Sequence, residues 1–457
     1  MRQSYDVVII GAGPAGIFAA IELTKEGGAA PTVLLIEQGQ DIEARDRGQL
    51  TRGWGGSGAY SDGKLILSTQ VGGWLADYIP TKDLNSLIEY VDGVYLEFGG
   101  EAERFGDKPE KIKQLKRAAT LADLELIPVI VRHLGTDICL KVLKNMRQHL
   151  GSRIDIAADT AVAEVVAADG RATGVKLADG TVIEAGAVIA APGRAGARWL
   201  AAEATRLGLA KHANQVDLGV RVEVPAPVME PLTDDFYEAK LVYRSKQFED
   251  RVRTFCVNPY GEVTKEQYHD NIETVNGHSY ADRRTANTNF ALLVSTTFTE
   301  PFTEPIAYGE YIARLANLLG EGIIVQRLGD LMRGHRSTAA RLARSTVRPT
   351  LVDATPGDLS FVLPYRYISD ILEMLAAMDK IAPGVNSRNT LLYGVEVKFY
   401  SQRLKLSAGL ETDLPGLFAI GDGAGITRGL IQASAAGIVA ARAIAKGSRM
   451  NGQTTNH

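Results

Sequence analysis

The apolar and polar positions along this chain change period repeatedly, and the changes mark its organisation. Val7 to Ile10 is a short, branched apolar run ending on glycine, which predicts a buried parallel strand. A helix-forming run follows from Ile17 to Glu26 and stops at Gly27-Gly28, and Val33 to Ile36 predicts a second strand. Leu84 to Leu126 reads as mostly helical with a charged face. Leu126 to Val131 is a strand, and Ile138 to Leu150 an amphipathic helix with Thr136 as its N-cap. From Arg153 the period becomes that of strands. Ala161–Ala168, Ala172–Leu177 and Val182–Ile189 are separated by the hairpin signals Asp169-Gly170 and Asp179-Gly180.

A second series of strands is predicted at Gly219–Val224, Lys240–Ser245, Val252–Val257, Val263–Gln267, Ile272–Val275 and Phe290–Phe298. Turns are expected at Asn258–Gly261 and Asn276-Gly277, giving a largely antiparallel sheet. Helices are expected at Tyr308–Leu319 and Ile368–Met378, and the arginine-dense run Arg333 to Arg348 reads as a solvated helix face. Near the end, Leu417 to Ile420 is a strand and Ala433 to Ala445 a small-residue helix.

Composition narrows the class without naming a chemistry. The 457 residues, 45% hydrophobic and 23% charged, fit a globular protein of more than one domain. A net charge of −4 gives no electrostatic argument for nucleic acid. Cys139 and Cys256 are the only cysteines, which excludes a disulfide framework or zinc knuckle and fits a reducing cytoplasm. Leu430 to Ala445 is too short for a membrane span and is interrupted by Arg442.

The chemistry begins at the first strand tip. Gly11 permits a tight turn, Gly13 lets a pyrophosphate approach the backbone alongside Pro14 and Ala15, and Gly16 lets helix and strand pack closely. The helix then aims its N–H groups at phosphate. Glu37, followed by Gln38, ends the second strand where a ribose-hydroxyl acceptor belongs. This unit suits FAD and NAD equally. The loop Trp54-Gly55-Gly56-Ser57-Gly58, with Tyr60, Asp62 and Lys64 behind it and Arg45 and Arg47 ahead, reads as a cofactor-covering loop.

Two later features favour FAD. The meander that returns to the strand ending Ala191-Pro192-Gly193 is foreign to a pure NAD domain of alternating strands and helices. Gly421-Asp422 at a late strand tip can hydrogen-bond a polyol, and the helix that follows points its N-terminus at developing negative charge.

On these motifs the chain resembles the FAD-dependent oxidoreductases of the glutathione-reductase-type superfamily. More narrowly, it is similar to a bacterial and archaeal family of NAD(P)/FAD-dependent oxidoreductases, or FAD-dependent dehydrogenases. Trp54–Leu65, Arg132–Asp137, Asn258–Val263, Val275–Ser279, Thr390–Glu396 with Lys398–Ser401, and Gly421–Gly429 carry the likeness.

The resemblance implies that Gly11, Gly13, Ala15 and Gly16 meet the pyrophosphate, Glu37 the ribose and Val162 the adenine. It places Gly55, Gly56, Ser57 and Gly58 along the pyrophosphate and ribityl chain, Asp422 on the ribityl group, and Gly429, Leu430, Ile431 and Gln432 beside the isoalloxazine. The expected fold is α/β, a Rossmann-like FAD-binding domain with a parallel sheet and three-stranded meander. An inserted, largely antiparallel substrate domain is expected at 216–385, between FAD-binding parts at 1–215 and 386–447, with a flexible tail at 448–457.

A flavin performs hydride chemistry itself and needs orientation and a proton source from the protein. His278, Lys398 and Lys64 are the candidates for that source, with Glu396 and Tyr400 behind them; Glu396 and Lys398 share a face of an extended strand and can pair. The expected activity is hydride transfer between flavin N5 and a small organic or lipid-like substrate. NAD(P)H or an electron carrier protein is the expected second redox partner, because no second dinucleotide unit occurs. A non-catalytic protein of the same fold and a flavin-assisted RNA-modifying enzyme are the rival readings.

Overall fold

The computed structural model describes residues 1–25, 31–45, 51–61, 63–101, 103–212, 214–267, 271–280, 283–298, 301–302, 304–398 and 401–453. Gly27-Gly28, Arg47, Asp62 and Tyr400 lie outside the described residues. The chain divides into two units, the first comprising Met1–Glu103, Arg132–Asn214 and Ser401–His457, the second Arg104–Val131 and Gln215–Tyr400.

In the first unit a seven-stranded sheet runs in the order Asp155–Ala157, Val33–Ile36, Ser4–Ile10, Val182–Ala190, Arg171–Leu177, Val162–Ala168, with Leu417–Ala419 also paired to Val182–Ala190. The pairings among Asp155–Ala157, Val33–Ile36, Ser4–Ile10, Val182–Ala190 and Leu417–Ala419 are parallel, and the meander is antiparallel. Val8 lies opposite both Leu34 and Val188, and the stretch Val7 to Ile10 is apolar on both faces and buried. The helix Pro14–Leu23 packs against the terminal helix Leu430–Gln453 almost backbone to backbone. A Cβ at Gly437 would stand 2.1 Å from the Ala15 carbonyl oxygen.

The second unit is built on an eight-stranded sheet in the order Thr355–Pro356, Ile324–Arg327, Leu391–Lys398, Val216–Pro225, Asn287–Thr296, Arg251–Asn258, Lys240–Arg244, Leu124–Ile127. All its pairings are antiparallel except the one between Thr355–Pro356 and Ile324–Arg327. Alternation splits each strand. Leu218, Val220, Val222 and Val224 join an apolar core with Ala313, Ala316, Ile371 and Met374 of the covering helices. Asp217, Arg221 and Glu223 project from the opposite face.

Several expectations change. Asn276-Gly277 is not a turn; it lies inside the strand Glu273–His278, and Gly277 is needed because a Cβ there would be 2.0 Å from Asn289 Oδ1. The helix expected to start after Thr136 starts at Gly135, one residue before it, with Leu134 at its N-cap and no side-chain cap. The arginine run carries only the five-residue helix Ala339–Ala343, not a continuous helical face. Residues 386–400, expected in the nucleotide-binding part, lie in the second unit, and Arg104–Val131 joins them there. The terminal helix continues past 447 to Gln453, where a flexible tail was expected. Among the described residues no helix is long and apolar enough to cross a membrane.

One buried acid makes the second unit pH-sensitive. Burial, reinforced by neighbouring Asp250, pushes Asp370 up to about 6. A raised carboxyl favours the folded state fully below its ordinary value of 3.8, and that contribution disappears as pH rises through about 6. Asp370→Asn is therefore expected to flatten the decline in stability between these limits, read by urea denaturation across pH.

Candidate active site

The tips of the parallel strands in the first unit meet in a glycine-lined cradle. Successive backbone bonds tie the tips together: Gly11 N–H to Ile36, Ala191 N–H to Ile10, and Ile420 N–H to Ala190, at 2.7, 2.8 and 3.0 Å. Gly11 has φ +103, and a Cβ there would stand 2.2 Å from the Ala191 carbonyl oxygen. A Cβ at Gly16 would be 1.9 Å from the Gly11 carbonyl oxygen. Gly16→Val is accordingly expected to yield protein without bound FAD, measured as the flavin-to-protein absorbance ratio. At Gly13 and Gly193 the same test meets open space. The helix Pro14–Leu23 has Gly13 at its N-cap with no side-chain cap, so its first N–H groups remain available to an anion.

Glu37 and Arg45 lock the loop that covers this cradle. Glu37 is buried at the tip of Val33–Ile36 and accepts backbone N–H bonds from Ala12, Gly39 and Gly53 at 2.8, 2.9 and 2.9 Å. A carboxylate has about four lone-pair sites, so these bonds leave room for a ribose hydroxyl. Arg45, buried beneath the loop, donates to the carbonyls of Gly53, Trp54 and Gly56. Its guanidinium also lies 5.0 Å from the Tyr60 ring centroid. Gly55 N–H donates to the Ala12 carbonyl at 2.7 Å, which draws the loop onto the first turn. Trp54 anchors the other side by donating its indole N–H to Leu143 at 3.0 Å. The sequence marks Arg45 only as one of two arginines ahead of the glycine run and gives it no role.

The late motif closes the cradle. Asp422 accepts from Thr427 Oγ1 at 2.8 Å and lies 3.6 Å from Arg194 Nε. Gly423 and Gly193 approach so closely that a Cβ on Gly423 would be 2.7 Å from the Gly193 oxygen. Ala191 and Ile431 are buried, Ser57, Gly429 and Leu430 half-buried, and Gly58 buried in the covering loop. Gln432 has a holding role: its amide donates to Ser68 and Val71 at 3.3 and 3.1 Å and accepts from Leu75. Gln38 is exposed, and Val162 stands half-buried at the first position of its meander strand.

The proton-transfer candidates divide between the units. Lys64 starts the strand Lys64–Leu67 of the first unit and is half-buried. Lys398 and His278 belong to the second. Lys398 Nζ, buried, lies 3.0 Å from Glu396 Oε1 and 3.2 Å from Glu266 Oε2, so the expected pairing of Lys398 with Glu396 is present. Glu396 also receives two bonds from Arg221, at 2.8 and 3.0 Å, and both side chains are fully buried. Arg221 Nη1 donates to Asn289 at 2.8 Å and to the Cys256 carbonyl at 3.1 Å, and Nη2 to Asn276 at 3.3 Å. Burial works against this guanidinium's charge, but Glu396 raises its pKa above the ordinary value. Two buried atoms beside this network, Asn289 Nδ2 and Thr264 Oγ1, have no hydrogen-bond partner. His278 ends its strand opposite Glu262 and is half-buried.

A second buried carboxyl, Glu223, is served differently. It accepts from Tyr393, from Thr350 Oγ1 at 2.6 Å and from Asn287 at 3.0 Å. Burial raises its pKa, and these hydrogen bonds oppose the rise.

The first unit fits FAD on its own geometry. Open space at Gly13 and Gly193, an uncapped helix N-terminus, and acids Glu37 and Asp422 at two strand tips are what a dinucleotide with a polyol chain requires. Two family models match the chain. Residues 6–63 match the FAD binding domain, and residues 217–399 match the family described as FAD-dependent protein, C-terminal domain-like. An uncharacterized protein of Clostridium beijerinckii is 27% identical over 480 residues, covering 96% of this chain and 80% of that one. Among solved structures, glycine oxidase from Geobacillus kaustophilus aligns at 14% identity and a TM-score of 0.41, covering 97% of this chain and 95% of that one. L-proline dehydrogenase from P. horikoshii aligns at 12% and 0.41, covering 98% and 95%. Both family models fall within single units of the chain, so the first unit carries an FAD binding domain and the second resembles the C-terminal domain of FAD-dependent proteins.

Proposed function

We propose that the protein oxidises or reduces a small organic or lipid-like molecule whose proton transfers are handled by the polar sheet face of the second unit. FAD, when bound, supplies hydride transfer at N5. Gly11, Gly13, Ala15 and Gly16 would hold its pyrophosphate, Glu37 its ribose and Asp422 its ribityl chain. The observation that carries the proposal is the buried ammonium of Lys398 between Glu396 and Glu266, beside two unsatisfied polar atoms. Buried polar atoms without partners are costly, and a substrate that hydrogen-bonds them removes the cost. Lys398 holds a proton there, Arg221 neutralises Glu396 so that the proton is not drawn onto the carboxylate, and His278 and Lys64 are the other groups able to give or take one.

The second redox partner is NAD(P)H bound transiently or an electron carrier protein, and the compartment is the cytoplasm. The predominantly antiparallel sheet of the second unit supports a transient or protein partner, because it supplies no further strand–helix–strand nucleotide site among the described residues. Anaerobic mixing with NADH and then NADPH is expected to bleach the oxidised flavin with one of them; bleaching by neither directs the assignment to a carrier. Once a substrate is in hand, Lys398→Met is expected to slow turnover by about a hundredfold or more at unchanged FAD content. Unchanged turnover would remove Lys398 from the chemistry.

A further inference from the structure

Between the strand Lys64–Leu67 and the helix Thr81–Glu97 of the first unit runs the segment Ser68–Tyr78, outside both regions that the family models match. Its one regular element is the single 3-10 turn Leu75–Asp77. A connection of this kind would ordinarily loop over the surface and move freely. Here it is stapled at three places to the late motif that leads into the helix Leu430–Gln453.

The first staple is Gln432, fully buried at the third position of that helix. Its Nε2 donates to the Ser68 and Val71 carbonyls at 3.3 and 3.1 Å, and its Oε1 accepts the Leu75 N–H at 3.4 Å. One amide thus fixes three backbone groups of the segment at once. The second staple is an antiparallel bridge between Gly73 and Thr427. Arg428 N–H donates to the Gly72 carbonyl and Trp74 N–H to the Ile426 carbonyl, each at 2.8 Å. Gly73 has φ +152, and a Cβ there would stand 2.5 Å from Gln432 Oε1 and 2.7 Å from the Ile426 oxygen, so glycine is what lets the two backbones meet. The third is Arg403, which donates to Tyr78 Oη at 3.0 Å and to Asp77 at 2.7 Å. Its own Cα lies 2.9 Å from where a Cβ on Gly425 would stand.

These staples set the segment beside the FAD cradle. A Cβ on Gly58 would be 3.0 Å from Leu430 Cδ2 and 3.6 Å from Pro14 Cγ, so the covering loop and the starts of the first and terminal helices converge. One residue before Leu430, a Cβ on Gly429 would be 3.5 Å from Gly72 Cα. Ser68 and Leu75 are buried, whereas Val71, Gly72, Gly73 and Trp74 are half-buried, so the middle of the segment keeps accessible surface.

We propose that Ser68–Tyr78 forms a wall of the isoalloxazine pocket and that Gln432 is the positioning residue that sets this wall, an inference that rests on FAD lying in the cradle of the first unit. Val71 to Trp74 would lie along the ring end of the cofactor and limit the access of water to it. Gln432 acts through the wall, because its amide is engaged by Ser68, Val71 and Leu75. The ADP half is assigned to Gly11, Gly13, Gly16 and Glu37, and none of the three staples involves those residues.

The test titrates the full-length apoprotein with FAD and, separately, with ADP. Gln432→Leu leaves the Leu75 N–H without its acceptor and unties the wall, which must then be ordered when the ring binds. The FAD dissociation constant is expected to rise by about tenfold or more while that for ADP stays within about twofold. Gly73→Ala displaces the same wall by a different route and should give the same split, which keeps the test decisive if Gln432→Leu does not fold. Iodide should quench the flavin bound by either variant more strongly than the flavin of the parent. Unchanged FAD affinity, equal weakening for FAD and ADP, or unchanged quenching overturns the proposal and leaves the staples a role in the fold alone. A parent protein that binds no FAD overturns the cofactor assignment itself, and the wall with it.

Discussion

Arg221→Met is expected to destabilise the second unit by about 3–5 kcal/mol, read from urea denaturation followed by far-UV circular dichroism. Arg221 is fully buried and gives Glu396 two charge-assisted bonds. Without it, Lys398 is the one remaining partner cation of Glu396 among the described residues, and the Glu396 side chain is fully buried. The cost is that of stranding a charge and not of losing a favourable pair, so Arg221→Met combined with Glu396→Leu should recover part of the loss. A single-substitution loss below about 1 kcal/mol would show that Lys398 or solvent compensates, and that the network does not hold the hairpin Glu262–Gln267 with Glu273–His278 in place. The same change tests the assignment of Lys398. With Arg221 gone, the remaining carboxylates bind the Lys398 proton more tightly, and any pH profile of turnover governed by that proton should move upward.

These groups differ in how far the sequence exposes them. The nucleotide cradle is local: Gly11, Gly13, Gly16 and Glu37 lie within one strand–helix–strand unit, and each glycine answers a steric need set by a near neighbour. In the antiparallel sheet, Val216–Pro225, Lys240–Arg244, Arg251–Asn258 and Asn287–Thr296 were legible because they alternate, whereas Ile324–Arg327 was not read and Glu262–Gln267 with Glu273–His278 pairs as a separate two-stranded sheet. Two further features were not legible. Arg221 lies on a strand of apolar residues and looks like an exposed position until its partners arrive from Glu396, Asn289 and Asn276, far away in sequence. Asn276-Gly277 carries the strongest short turn signal, yet the glycine is there to let Arg221 and Asn289 approach, with 2.5 and 2.0 Å to a Cβ. A glycine selected by packing is indistinguishable from one selected by a turn when only neighbours in sequence are visible. The role of Arg45 was missed for the same reason, since its acceptors are loop carbonyls that no residue pattern announces.

Glu37→Gln is expected to release FAD and destabilise the first unit even though shape and size are preserved. The carboxylate takes the Gly39 and Gly53 N–H groups on one oxygen and the Ala12 N–H on the other. An amide offers one oxygen and one NH2, so either orientation sets a donor against at least one of these donors. Each buried N–H left without an acceptor costs about 1–3 kcal/mol, and the bonds to an ionised acceptor are the stronger kind. Gln at this position also keeps less acceptor capacity for a ribose hydroxyl. Because Gly53 opens the covering loop and Ala12 lies in the first turn, failure at Glu37 loosens both walls of the cradle together. The expected result is an FAD dissociation constant raised by roughly thirtyfold or more, from at least about 2 kcal/mol, measured by flavin fluorescence on titration of the apoprotein. Glu37→Asp, shorter but still a carboxylate, should recover part of the affinity. If Glu37→Gln bound FAD as tightly as the parent, the acid would be serving neither loop nor ribose, and the strand-tip glycines alone would hold the cofactor.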